Sequence, residues 1–77
     1  MLLKTFQKVN VAVVTEYTVW DENEVLLDDY VEDYSSAEVT NVRRTLDWVE
    51  KGATVKFVSV NSATGRLSVS LRVKGGE

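Results

Sequence analysis

The first part of the chain alternates between apolar and other residues. Over residues 5–20, β-branched and aromatic side chains recur at every second position, with Thr15, Tyr17 and Val19 on one face. Successive side chains of a strand point to opposite faces, so this pattern predicts one long first strand. Residues 21–24 are turn formers between two apolar stretches, which predicts a hairpin.

The second strand of that hairpin is predicted at residues 25–34, with a short helical turn as the alternative. As a strand, the segment would place Leu27, Asp29 and Val31 on one face. The other face would carry a leucine followed by acidic and aromatic residues: Leu26, Asp28, Tyr30, Glu32 and Tyr34. The segment is therefore interpreted as a strand with one acidic and aromatic face.

A helix is predicted at residues 36–51. Ser35 is followed three residues later by Glu38, the spacing of a capping box, and Gly52 is placed to end the helix. Between them, apolar residues recur at spacings of three, four and three: Val39, Val42, Leu46 and Val49. This spacing predicts a single helical stripe that packs on a sheet.

A second hairpin is predicted from residues 53–60 and 66–73, around a turn at residues 61–65. Its last strand alternates apolar residues with serine and arginine, which is typical of a sheet buried on one side: Leu67, Val69, Leu71 and Val73 face inward. The predicted fold class is α+β, in one small domain over residues 1–77. The order is ββαββ, with one helix packed on a mostly antiparallel four-stranded sheet.

Composition narrows the ways in which this domain is stabilised. The 77 residues include no cysteine and no histidine, so disulfides and the commonest metal ligands are excluded. A chain of this size buries only about 60–65% of its unfolded surface, so tight packing or oligomerisation has to compensate. No apolar run approaches the roughly 18 residues that cross a bilayer. The expectation is a cytoplasmic protein without a signal peptide or a membrane contact.

Charge is strongly segregated along the chain. Residues 9–42 contain no lysine or arginine and nine acids: Glu16, Asp21, Glu22, Glu24, Asp28, Asp29, Glu32, Asp33 and Glu38. All nine basic residues and only three acids lie outside this acidic block. The block therefore carries a net charge of −9, and the rest of the chain carries a net charge of +6. Acids that served solubility alone would be interspersed with bases. The pattern therefore favours a use for the acidic block.

Enzymatic chemistry is not predicted. Without histidine and cysteine there is no serine–histidine pair, cysteine–histidine pair or thiolate nucleophile, and the four glycines form no phosphate-binding loop. Adjacent carboxylates such as Asp28 and Asp29 would need a substrate cleft that so short a chain can hardly build. Asp21 and Glu32 have the spacing of calcium ligands, but Leu26 stands where the loop requires glycine. No cofactor and no metal are expected.

Direct nucleic-acid binding is not favoured either. Four basic residues belong to the second hairpin and its end: Lys56, Arg66, Arg72 and Lys74. No aromatic residue stands among them for base stacking, and the pI of about 4.9 is far from that of a basic nucleic-acid binder. Their interpretation is a solvated sheet face.

The predicted binding residues all belong to the acidic block: Asp21, Glu22, Glu24, Asp28, Asp29, Tyr30, Glu32, Asp33 and Tyr34. Tyrosine among carboxylates suits a basic partner surface, through charge-assisted hydrogen bonds and cation–π contacts. The expectation is a non-enzymatic inhibitor of a nucleic-acid-binding protein or complex. Phage-encoded antagonists of host nucleases, polymerases or CRISPR complexes share this size and charge, by analogy alone. The alternative is an assembly protein that forms a homodimer or larger oligomer by pairing its two charge blocks.

Overall fold

A computed structural model describes residues 1–35 and 37–74. It contains α1 (Leu3–Val9), β1 (Val14–Trp20), β2 (Leu26–Asp33), α2 (Val42–Glu50), β3 (Thr54–Asn61) and β4 (Arg66–Arg72). The strands form one sheet in the order β2-β1-β4-β3. The β1–β2 and β3–β4 pairs are antiparallel, and the central β1–β4 pair is parallel. The predicted α+β fold is confirmed, with α1 as an additional element ahead of the ββαββ unit.

The core lies between the two helices and one face of the sheet. Tyr17 and Val19 of β1 meet Val69 and Leu71 of β4 on this inward face, where all four are fully buried. Leu3 of α1 packs into the same cluster. The alternation predicted for the second half of β1 and for β4 is therefore confirmed. It is the signal of a sheet with one covered face.

The prediction of one strand over residues 5–20 is wrong in its first half, because the chain forms α1 there and β1 begins only at Val14. Leu3 and Phe6 are the two buried residues of α1, and their spacing of three places them on one helical face. The N–H of Leu3 donates to the carbonyl of Ala53 at 2.8 Å, which fixes the start of α1 beside β3. Val9 and Val11, which continued the strand pattern, are exposed, Val11 by 93%. Alternation in this segment did not correspond to burial.

The second helix is shorter than predicted and turns a different face to the sheet. It begins at Val42 instead of near residue 36, and Ser36 itself lies outside the described residues. Asn41 precedes it in a left-handed conformation and donates its side-chain amide to the carbonyl of Val31 at 2.8 Å. Ser35 accordingly does not cap this helix, and the predicted capping box is wrong.

The predicted apolar stripe of α2 is also wrong in part. Leu46 is 47% exposed and Val39 lies outside the helix, equally exposed. The inward face carries Thr45, which is fully buried, with Trp48 and Val49 packed against the core. Hydrophobic spacing missed this face because Thr45 and Trp48 dock the helix partly through polar contacts.

The opposite face of the sheet is open and polar. Thr18 donates to Ser70 at 3.3 Å, the Trp20 indole donates to Thr18 at 3.0 Å, and Ser68 donates to Glu16 at 3.1 Å. The first and third bonds link β1 to β4, the second lies within β1, and none of them covers the face. The domain thus has two layers, and any pocket framed by the helices lies on the inward side.

Candidate functional site

Four of the predicted binding residues share the inward face of the β2 segment. Asp28, Tyr30 and Glu32 alternate along β2, and Tyr34 follows directly. Their predicted common side is confirmed, but that side faces the helices. Tyr30 is 5% exposed and Glu32 is 3% exposed. The expectation that both lie on an exposed surface is therefore wrong, because α1 and α2 cover this face.

At one end of this face, Asp28 is fully paired. Its carboxylate accepts from Arg44 Nε at 3.0 Å, from Arg44 Nη2 at 2.5 Å and from the Trp48 indole at 2.9 Å. Burial opposes ionisation, but these hydrogen bonds outweigh it and hold the pKa of the Asp28 carboxyl below its usual range. Asp28 therefore anchors α2 to the sheet and is not available to a partner.

Tyr30 strengthens the same anchor. Its hydroxyl is hydrogen-bonded to the hydroxyl of Thr45 at 2.8 Å, and the Arg44 guanidinium lies 5.1 Å from the centre of its ring. Burial is the main reason that the pKa of Tyr30 is raised to about 12. The ring also stacks on Tyr17 of β1, with centroids 5.3 Å apart. Tyr30 is thus a core residue with a satisfied polar end.

The other end of the face opens into a cavity of about 280 Å³. It is framed by the end of α1, the connection to β1 and the end of β2, and lined by Gln7, Asn10, Val11, Ala12, Val13, Tyr17, Glu32 and Tyr34. Two buried polar atoms of this lining, the Tyr17 hydroxyl and Glu32 Oε2, make no hydrogen bond within residues 1–35 and 37–74. None of the lining residues is a lysine or an arginine. The cavity therefore holds a buried carboxylate without a cationic partner.

The electrostatics of the cavity follow from burial and from Glu32. Burial first, and the Glu32 carboxylate second, raise the pKa of the Tyr17 hydroxyl well above its usual range. Tyr34 is half exposed, and its pKa is raised by burial and then by the charge of Glu32 and a hydrogen bond to it. Asn10 accepts from the N–H of Ala12 at 3.0 Å and donates to Thr15 at 3.1 Å, which orders the cavity wall. The lining of the cavity as a whole is rich in hydrogen-bond acceptors.

The remaining predicted residues are spread over the β1–β2 hairpin. Asp21 holds the turn by accepting from the N–H groups of Asn23 and Val25. Asp33 accepts from Ser35, Glu22 is exposed, and Asp29 lies on the open face opposite Thr18. Glu24 pairs with two basic residues of the second hairpin, Lys56 at 3.2 Å and Arg72 at 2.8 Å. The nine predicted residues do not form one continuous surface.

The two charge blocks of the sequence are folded onto each other. Four ion pairs occur among the described residues, and each joins an acid of residues 9–42 to a base outside them: Arg44–Asp28, Lys56–Glu24, Arg66–Glu16 and Arg72–Glu24. Three of the basic residues considered for nucleic-acid binding are engaged in this way. Part of the predicted acidic field is therefore neutralised within the molecule.

The sequence did not single out the other walls of the cavity. Tyr17 was placed only on one face of the predicted first strand, and Gln7 and Asn10 carried no signal, because α1 was not predicted. One indication was present. Glu32 lies two residues after Tyr30 on β2 and therefore on the same face, and an acid at an inward position needs a partner. Alternation alone could therefore have identified Glu32 as unusual.

Comparison with family models, with curated proteins and with solved structures gives no match. In residues 1–35 and 37–74, no group of three or more acidic, histidine or cysteine side chains could hold a metal ion. Within the same residues, neither helix has the length and apolar character needed to cross a membrane. The function is therefore inferred from the geometry of the chain itself.

Proposed function

We propose that this chain is a non-enzymatic module that binds a basic surface of a partner protein and inhibits the partner by covering that surface. The observation that carries the proposal is the unequal distribution of paired charges. Glu22, Asp29 and Asp33 belong to the β1–β2 hairpin, and none forms an ion pair with a described residue. The hairpin contains no lysine or arginine of its own. It remains acidic after the internal pairs are made.

A basic partner surface suits this hairpin for physical reasons. β2 is an edge strand, and Asp29 is exposed on its open face, so this acid can approach another molecule without obstruction from a further strand. At Asp33 the backbone is bridged to Thr40, and only the carboxylate beside Ser35 is left to contribute to the acidic surface. Carboxylates on a rigid strand can stand where the phosphates of a nucleic acid would bind. Nucleic-acid-binding proteins offer such basic surfaces, and small phage antagonists are the analogy by size and charge. The proposed compartment is the cytoplasm, where such partners occur.

Self-association by pairing of charge blocks is the weaker alternative. Four of the nine basic residues already pair within the chain, and three of them belong to the second hairpin: Lys56, Arg66 and Arg72. A second copy would have to break these contacts to form equivalent ones. Light scattering at low and high salt tests this directly, and a mass that stays at one chain excludes charge-driven assembly.

The test of the proposal compares two double charge reversals. Glu22→Lys with Asp29→Lys changes the hairpin, and Asp47→Lys with Glu50→Lys makes the same change on the exposed side of α2. Parent and α2 variant, used as bait in a bacterial lysate, are expected to capture the same nucleic-acid-binding protein. The hairpin variant is expected to lose it, and capture by the parent should fall steeply with salt.

The melting temperatures of all three baits should be similar, since exposed charges contribute little to stability. A captured protein that the hairpin variant retains as well as the parent would contradict the proposal. So would capture that depends equally on both pairs of acids. Inhibition is then measured on the captured protein, as displacement of its nucleic acid by the parent chain.

A further inference from the structure

We propose that the cavity beside Glu32 binds an organic cation, an ammonium or guanidinium group. This assignment does not depend on the proposed function, because it requires no partner protein and involves the inward face instead of the acidic hairpin surface. It follows from three features of the cavity: a buried carboxylate with one oxygen that has no donor among the described residues, a set of walls without cations, and a size that fits a single charged group.

The carboxylate of Glu32 is the first feature. Glu32 is 3% exposed, and its Oε2 has no hydrogen-bond donor within the described residues. Asp28, on the same strand face, receives three donors from Arg44 and Trp48. A buried charge is costly unless it is paired and hydrogen-bonded. A bound cation with N–H groups would supply to Glu32 what Arg44 supplies to Asp28.

The walls are the second feature. The Tyr17 hydroxyl faces the same cavity, has no hydrogen-bond partner in the part of the chain that the structure describes, and can accept a hydrogen bond from the cation. Tyr34 is half exposed at the rim, where an aromatic ring favours a cation that passes over or rests on it. A water molecule could bridge the Tyr17 hydroxyl and Glu32 Oε2, but it is neutral and would not balance the negative charge of the carboxylate.

Size is the third feature, and it separates an organic cation from other ligands. About 280 Å³ is at or below the lower end of drug-sized pockets, which begin near roughly 300 Å³. The space suits a charged head group of a few heavy atoms. Calcium takes about six to eight oxygen ligands and magnesium requires an octahedral set with several waters, whereas this cavity offers one carboxylate.

Entry of the cation requires a small change at the rim. Glu32 Oε2 is itself fully buried, so a rim side chain has to rotate before a ligand can reach it. Gln7 is long, unbranched and half-buried at the end of α1, and Tyr34 is half exposed. Either rotation leaves the core residues in place.

Two probes test the cavity by NMR at constant ionic strength. The first is n-butylammonium and the second is n-propylguanidinium, with n-butanol as the neutral control and potassium chloride as the ionic control. We expect saturable shifts of the backbone amides of Asn10, Ala12 and Tyr34 with one or both cations and none with the controls. Glu32→Gln should weaken binding about tenfold or more, since a charge-assisted hydrogen bond is lost. Asp47→Asn, on the far side of α2, should leave it unchanged.

A second variant keeps the test decisive if Glu32→Gln fails to fold. Tyr34→Ala removes a half-exposed ring outside the core, and it should weaken cation binding several-fold while the far-UV spectrum is preserved. Absence of saturable shifts, equal shifts with n-butanol, or binding that survives both variants would each overturn the proposal. The last outcome would show that the cation binds outside this cavity.

The source of the cation is decided by a further comparison. A lysine or an arginine placed at the centre of an acetylated, amidated alanine pentapeptide carries the same charge on a peptide backbone. Tighter binding of a peptide than of the free cation identifies a partner side chain as the natural occupant. Tighter binding of the free cation identifies a small amine. Loss of lysate capture by the hairpin variant would not change either result, so the two proposals can fail separately.

Discussion

The two ends of the inward face of β2 carry similar side chains in contrasting surroundings. At one end Asp28 lies beside Tyr30, and at the other Glu32 lies beside Tyr34. The first carboxylate accepts four hydrogen bonds, two of them from the Arg44 guanidinium, whereas Oε2 of the second accepts none within the described residues. The element packed above each carboxylate decides its role. α2 contributes Arg44, Thr45 and Trp48 to the first end, while Gln7 and Asn10 supply no positive charge to the second.

Tyr17 connects the two ends, because it stacks on Tyr30 and lines the cavity beside Glu32. The largest effect we expect is therefore alkaline unfolding. Burial raises the pKa of Tyr30 to about 12 and that of Tyr17 further. A raised folded-state pKa gives stability that is complete below the ordinary value of 10.0 and lost as the pH rises through the folded value. Tyr30 alone should account for roughly 2–3 kcal/mol.

Tyrosinate absorbance and far-UV circular dichroism, recorded together from pH 8 upward, measure this effect. Ionisation of Tyr17 and Tyr30 should coincide with loss of the folded signal. Tyr34→Phe removes the half-exposed tyrosine, whose separate titration would otherwise overlap. Ionisation of both rings near pH 10 with unchanged dichroism would contradict the burial of Tyr17 and Tyr30 in the folded protein.

The second comparison sets Asp28→Asn against Glu32→Gln. The first change removes the charge that Arg44 and Trp48 donate to, and it should cost about 1–3 kcal/mol, reduced because Arg44 is half exposed. The second removes a buried charge that is hydrogen-bonded to Tyr34 but has no cationic partner among the residues lining the cavity, and it should change stability by less than about 1 kcal/mol, or increase it. Urea unfolding at pH 7 measures both. Equal losses would show that Glu32 is as well paired as Asp28.

Unfolding at low pH provides a control for the comparison of these two variants. The pKa of Asp28 is lowered, so its contribution is present above the ordinary value of 3.8 and lost as the pH falls through the folded value. The difference between parent and Asp28→Asn should accordingly shrink as the pH falls below about 4. A difference that stays constant down to pH 2 would assign the loss to packing instead of charge.

The smallest effect compares two hydroxyl deletions. Tyr30→Phe leaves the buried hydroxyl of Thr45 without its side-chain partner and should cost about 1–2 kcal/mol. Tyr17→Phe removes a hydroxyl that has no hydrogen-bond partner among the described residues, and it should be neutral or slightly stabilising. Melting temperatures of the two variants are sufficient. A costly Tyr17→Phe would indicate that the hydroxyl is hydrogen-bonded in solution.

Much of the sheet could be predicted from alternation, and the helices could not be predicted equally well. Residues such as Tyr17, Val69 and Leu71 repeat at period two because one face of the sheet is covered. The short helix α1 buries only Leu3 and Phe6, which is too few positions for a helical period to be distinguished from a strand. α2 docks through Thr45 and Trp48, so its apolar spacing indicated the wrong face.

The candidate site was predicted in composition but not in orientation. Alternation placed Asp28, Tyr30, Glu32 and Tyr34 on one face, yet the side that faces solvent depends on where the helices pack. Charge segregation likewise predicted an acidic field that the fold partly neutralises. Sequence order does not reveal that Arg66 and Arg72 form ion pairs with Glu16 and Glu24. Contacts between distant parts of the chain decided both questions.

The parallel pairing of β1 with β4 has a consequence for how the chain folds. Each hairpin consists of neighbouring strands and can form from local contacts in about 1–10 μs. The centre of the sheet instead joins residues such as Thr18 and Ser70, which are 52 positions apart. Closing so large a loop is entropically slow, so the meeting of the two hairpins should limit the rate of folding. The cavity beside Glu32 includes Gln7 and Asn10 from outside either hairpin, so it is complete only when α1 has also docked.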